Sequence, residues 1–172
     1  MRKGFTLIEI LLYVTLLAII MGSILPIALQ IINTGTKSGV AQEVYHSARY
    51  ASERIMYEIR NASGLYTASS TFNANLATTA GAALYLVGSS SSTDPTVITV
   101  ATGTIRIQQG LRAPVALNSI DSYAEQLIFL NHSTSTATNI GLTLTMKAAA
   151  TSTRQEYNAS TTIATSVELR SK

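Results

Sequence analysis

Met1-Arg2-Lys3-Gly4-Phe5-Thr6-Leu7-Ile8-Glu9 opens the chain, and from Ile10 to Thr36 no side chain carries a charge. The stretch Ile10 to Ile32 is almost wholly apolar. About 23 residues of helix rise roughly 35 Å, enough to cross a hydrocarbon core of about 30 Å. Arg2 and Lys3 precede the run, and basic residues hold their end of a span on the cytoplasmic side. A cleaved secretory signal has an apolar region of about 7–15 residues closed by a small-residue site. This run is longer, and polarity returns only near Asn33. One membrane span is the reading, with the rest of the chain outside the cytoplasmic membrane.

An ordinary anchor explains Arg2, Lys3 and the apolar run but not Glu9. A carboxylate near the centre of a membrane helix costs about 2.5–3.5 kcal/mol and less toward the interface, so it calls for a partner. Arg2 and Lys3 are candidates. If the chain is cut after Gly4, the new α-amino group of Phe5 is another, on the same subunit or a neighbour. A pair between subunits would set axial register, because any other alignment leaves Glu9 unpaired in apolar surroundings.

Gly4-Phe5-Thr6-Leu7-Ile8-Glu9, behind a basic leader and ahead of an apolar run, resembles the precursor signature of type IV pilins and pseudopilins. The resemblance implies that a membrane-embedded prepilin peptidase cuts after Gly4 and that the new terminal Phe5 is N-methylated. By position, Glu9 is the assembly carboxylate and Pro26 the helix-kinking proline. The partners implied are other pilin subunits in a homo- or hetero-polymer, the peptidase, membrane lipid and inner-membrane assembly machinery. The strong resemblance covers about the first 30 residues. Leu117-Asn118-Ser119, Gln126-Leu127-Ile128-Phe129 and Val167-Glu168-Leu169-Arg170 are similar, in common residue types only, to minor pseudopilins of the J type.

Pro26 lacks an amide hydrogen and crowds the carbonyl of Gly22, and Gly22 is itself about 1 kcal/mol worse than alanine in a helix. Gly22–Pro26 is therefore the expected kink or melting point. Asn33, Gly35 and Gly39 make residues 33–39 a soft joint. Helical spacing resumes at Val40, with Val44, Ala48, Ala51, Ile55, Ile59 and Ala62 recurring at steps of three or four. Arg49–Glu53 and Arg54–Glu58 are i,i+4 pairs assigned to the wet side. Asn61, Ser63 and Gly64 stop the helix.

Beyond Leu65, short alternating segments read as strands: Ala83–Val87, Val97–Ala101, Thr104–Gln108, Val115–Leu117, Gln126–Leu130, Asn139–Lys147 and Thr161–Arg170. Thr102-Gly103 reads as a tight hairpin turn. Residues 67–80 and 88–96 read as Ser/Thr/Ala/Gly-rich loops without chemistry. The expected fold is α+β, a long N-terminal helix packed on a C-terminal antiparallel β-sheet. Its parts are a leader (1–4), a membrane and assembly helix (5–32), an amphipathic continuation (33–63) and a β-rich domain (64–172).

The 172 residues suit one domain plus an appendage. There is no cysteine, which excludes disulfides and thiolate sites. The formal charge is +3; without Arg2 and Lys3, ten basic residues face nine acidic ones, leaving +1. That balance, with Glu43, Glu53 and Glu58 interleaved among Arg49, Arg54 and Arg60, argues against nucleic acid as a partner. His46 and His132 are the only histidines, and no metal-ligand spacing, phosphate loop or catalytic constellation is present. Asp94 and Asp121 read as turn residues. Neither a cofactor nor a metal is expected. A filament subunit of a pilus or secretion pseudopilus is the leading function, with a single-pass anchored binding domain that never polymerises as the alternative.

Overall fold

A computed structural model describes residues 6–134, 137–149 and 157–170. Helix α1 runs from Leu7 to Asn61, 55 residues and about 80 Å, preceded by extended Thr6. It is continuous through residues 33–39, where the sequence reads as a joint. A Cβ added at either glycine there, Gly35 or Gly39, would meet open space. Thr34 and Thr36 return their hydroxyls to the carbonyls of Gln30 and Ile32 at 2.8 and 3.1 Å. Their side chains thus bond within the helix instead of competing with it. The helix ends as extended Ala62 turns its amide onto the carbonyls of Glu58 and Ile59.

All six residues of the periodic stripe, Val44, Ala48, Ala51, Ile55, Ile59 and Ala62, are buried. They pack chiefly against β7 (Asn139–Ala148) and β8 (Ser160–Glu168), which form a three-stranded antiparallel sheet with β6 (Ser122–Asn131). Ile140, Leu142, Leu144 and Met146 of β7 are all buried in the shared core with Leu127 and Phe129 of β6.

The strands form two hydrogen-bonded sheets instead of one. The second, in the order β1-β2-β3-β4-β5, comprises Gly64–Leu65, Ala83–Val87, Thr96–Ala101, Thr104–Gln109 and Val115–Ala116. Leu84, Leu86, Ile98 and Ile105 join its inner face to the same core. β3 and β4 meet at Thr102-Gly103 with φ of +49° and +75°. Both values are left-handed, as a two-residue turn between twisted strands requires. A side chain on Gly103 would also put its Cβ 2.8 Å from that of Tyr123.

Side chains of two asparagines bridge what backbone ladders do not. Asn118 accepts from the Ile105 amide at 2.8 Å and donates to the carbonyls of Ser122 and Gly103 at 2.6 and 3.3 Å. The Gly103 carbonyl also accepts from the Ala124 amide at 2.8 Å, so the β3–β4 turn is tied to the start of β6. Asn75 donates to the carbonyl of Glu125 and accepts from the amide of Leu127, both at 3.0 Å. Asn73 and Leu76 add backbone bonds to Phe129 and Leu127 at 2.9 Å. Residues 67–80, read from sequence as a bare loop, thus cover the outer edge of β6, and Leu76 is buried there.

Replacing Asn118 with alanine leaves the Ile105 amide and the Ser122 carbonyl without their partner. Each polar group so stranded costs about 1–3 kcal/mol if water cannot reach it. The denaturation midpoint of Asn118→Ala should fall by several degrees, with Asn61→Ala, on the exposed helix end, unchanged as the comparison.

Candidate functional site: the exposed amino-terminal stem

The domain covers only the upper third of its own helix. Every large apolar side chain from Leu7 to Ile32 is exposed, from 46% at Ile20 to 78% at Leu7. The first fully buried helical residue is Val44. An apolar cylinder of this length cannot stand in water: each leucine-sized side chain left wet forgoes about 1.5–3 kcal/mol. The stem is long and apolar enough to cross a membrane, and no part of its most apolar segment is buried in the protein. Its burial has to come from outside the chain.

Within the stem, polar groups are satisfied locally. Thr15 returns its hydroxyl to Leu11 and Leu12 at 3.0 and 2.9 Å, and Ser23 to Ile20 at 2.8 Å. Backbone bonding of this kind is how hydroxyl side chains are accommodated in apolar surroundings. Gly22 and Pro26 lie inside the continuous helix, and a side chain added at Gly22 would put its Cβ in open space. Proline at 26 removes the amide that would bond the Gly22 carbonyl, so the helix is thinned there although it is not interrupted.

Glu9 lies in the first turn of α1 and is half-buried. Its own amide and that of Ile10 bond the Thr6 carbonyl at 3.1 and 3.3 Å. Among the described residues no ion pair reaches it; those present are Arg49–Glu53, Arg54–Glu58 and Lys147–Glu125. A carboxylate in the first turn is favoured by the helix dipole, by about 0.3–1 kcal/mol where exposed. That does not replace a counter-charge in a low-dielectric setting. Arg2, Lys3, Gly4 and Phe5 lie outside the described residues, so the leader, the cleavage bond and the amino group read as the partner of Glu9 are not placed.

Where the stem meets the domain, a chain of hydroxyls fixes its direction. Ser47 and Ser122 share a buried hydrogen bond of 2.7 Å, and Ser122 and Ser119 are 3.3 Å apart. Ser119 donates to Glu43 at 2.9 Å. Asn118 anchors the same loop, so helix, β6 and both sheets meet at one point. Sequence reading missed this junction: serine carries no hydrophobic signal, and Ser47 is marked only by its place beside the buried stripe.

Higher on the helix, Arg49 pairs with Glu53 at 2.8 Å on the exposed face. That contact raises the Arg49 pKa further, through the hydrogen bond first and the charge second. Arg54–Glu58, expected on the wet side, is corrected: Glu58 is buried. Its Oε2 accepts from Gln109 of β4 at 3.0 Å, while Oε1 faces the Arg54 guanidinium at 2.5 Å as an ion pair off the hydrogen-bond axis. Arg54 also lies 5.3 Å from the centre of the Tyr57 ring. The position falls at the flank of the helix, where the second sheet, invisible in the helical periodicity, closes over it.

His46 packs edge-on to Tyr45 at 6.0 Å on the exposed side of α1, and the His132 backbone bonds Asn139. Among the described residues no three metal-type ligands converge. The feature that calls for a function is the stem.

Residues 1–25 match the family model for the prokaryotic N-terminal methylation motif. No match to the chain was found among curated proteins or among solved structures. The motif runs into the lower part of the stem, which the domain leaves bare. The amino-terminal segment therefore carries the signature of type IV pilins and pseudopilins, borne on a helix that its own domain does not cover.

Proposed function

We propose that this chain is a non-enzymatic structural subunit of a type IV pilus or a secretion-type pseudopilus. It is held in the cytoplasmic membrane by α1 with the β-rich domain outside, then drawn into a filament built on that helix. The observation that carries the reading is the coincidence of the methylation motif with a bare apolar stem. Lipid covers the stem before assembly, and neighbouring stems cover it afterward. In this reading residues 1–4 are a leader, Gly4 is its last residue and Phe5 becomes the methylated terminus. Arg2 and Lys3 hold the leader on the cytoplasmic side.

Glu9 supplies the register. In the precursor its counter-charges lie in the leader; once the leader is gone, the amino group of Phe5 is the nearest complement. A filament that matches Glu9 of one subunit to the terminus of another loses a buried charge pair in every other alignment. Breaking one such partner typically costs about 3–5 kcal/mol. Gly22 and Pro26 provide the slack, because a helix short of one hydrogen bond near a glycine can loosen as stems close up.

Intact mass tests the processing step. The cellular protein should lack Met1–Gly4 and carry one added methyl group, and a Gly4 substitution should accumulate at full precursor mass. An uncut wild-type terminus would leave only the anchored, non-polymerising domain. Glu9→Ala should be cleaved normally and yield fewer filaments by about tenfold or more, in line with the lost pair; unchanged yield would remove the register argument. A filament density map should show α1 loosened between residues 20 and 28, and regular helix through that stretch would contradict the role given to Gly22 and Pro26.

A further inference from the structure

Sheet edges are templates for unwanted pairing, and proteins usually shorten, charge, distort or cover them. Three of the four edges here follow that rule. β1 and β5, which bound the five-stranded sheet, are two residues each. The edge of β6 is covered by Asn73–Leu76. The fourth edge, β8, is nine residues long. It has no proline, no charge from Ser160 to Val167, and a register with β7 unbroken by any bulge.

The direction of its backbone groups follows from two bonds. Leu169 donates to Thr138, and Ala148 donates to Ala159. With Asn139 opposite Glu168 and Lys147 opposite Ser160, the odd-numbered residues of β8 turn their amides and carbonyls toward β7. Thr162, Ala164, Ser166 and Glu168 turn theirs outward. Among the described residues no backbone hydrogen bond reaches these outward groups.

We propose that the outer edge of β8 is a docking site for an extended strand from a different polypeptide. A second copy using its own β8 does not fit, a point that rests on the membrane-anchored reading above. Antiparallel β8–β8 pairing needs a two-fold axis through the sheet. Because α1 lies on the sheet face, that axis would point the two stems in opposite directions, and one bilayer cannot hold both. Parallel pairing about a two-fold along the strand sets each outward residue against its own copy. A parallel ladder needs it opposite a residue turned away.

The occupant's chemistry is set by what surrounds the edge. The central side chains of β8 are hydroxyls and alanine, so they neither attract nor repel charge. At the Glu168 end a groove of about 710 Å³ opens between α1 and the strand, with Met56 and Leu169 among its lining. Both are partly buried against the core. Of the charged residues that line it, Glu53 is held by Arg49, leaving Arg60, Arg170 and Glu168. A short uncharged strand with apolar residues at alternate positions matches both parts, its main chain on β8 and one side chain in the groove.

The test uses the full chain in lipid nanodiscs and, as probe, a peptide copying residues 139–146 with blocked ends, the uncharged natural complement of β8. Amide exchange is followed residue by residue. Without peptide, Thr162, Ala164 and Ser166 should exchange faster than Ile163 and Thr165 by about tenfold or more. Saturating peptide should slow the outward three by a similar factor and leave the inward two nearly unchanged. Ala164→Pro removes an outward amide that β7 does not use, so it should fold normally and lose the peptide effect. Absence of protection, or equal protection in Ala164→Pro, would overturn the site. Protection that rises with protein concentration alone would show that copies pair and overturn the occupant. A chain that fails to co-elute with the nanodisc contradicts the membrane reading, and with it the exclusion of a second copy. Loss of protection in a chain that does co-elute contradicts the docking site alone.

Discussion

The burial of the stem governs the rest of this structure. A helix of 55 residues extends far beyond a domain that packs on its upper third, and the remainder is apolar on every side. Apolar surface of that extent is stable only when water is removed from it, and the β-rich domain is placed where it cannot do so. A cylinder apolar all round belongs in a protein core or a membrane span; in the proposed filament, lipid and then neighbouring stems supply that medium. The methylation motif lies on the same segment, so in the proposed filament processing and burial would act on one piece of chain.

The domain is arranged to present that stem in a fixed direction. Five apolar residues on one face of α1, with Ala62 just past its end, enter the core, and the Ser47–Ser122–Ser119–Glu43 chain locks the helix where it leaves the domain. Asn118 ties the same loop to both sheets. A force applied along the stem would therefore be passed to the whole domain and not to one strand. No disulfide shares that load, since the chain has no cysteine.

What could be read from the sequence was what periodicity encodes. Val44, Ala48, Ala51, Ile55, Ile59 and Ala62 repeat at helical spacing and are all buried, and Ile140 to Met146 alternate as a strand and are buried likewise. Thr102-Gly103 announced its hairpin because two left-handed residues in a row favour glycine. The division into two sheets was not legible, because the two meet through the Asn118 side chain, which replaces ladder bonds and reads locally as a loop residue. Burial of Glu58 was hidden for a related reason: the flank of a helix is covered by whichever strand the tertiary fold brings there. The role read for Glu9 belongs to the proposal: its charge conflicts with its apolar neighbours, and among the described residues no ion pair reaches it.

The most direct test of the account is solvent access to the stem. Because the chain contains no cysteine, a single Ile20→Cys substitution provides a unique thiol. Reaction with a membrane-impermeant maleimide should be negligible in the membrane pool and should stay negligible in assembled filaments, with Tyr50→Cys on the exposed helix face as the reactive comparison. Labelling of the Ile20→Cys variant at the rate of the Tyr50→Cys variant, in either pool, would contradict the claim that lipid and then neighbouring stems bury this helix.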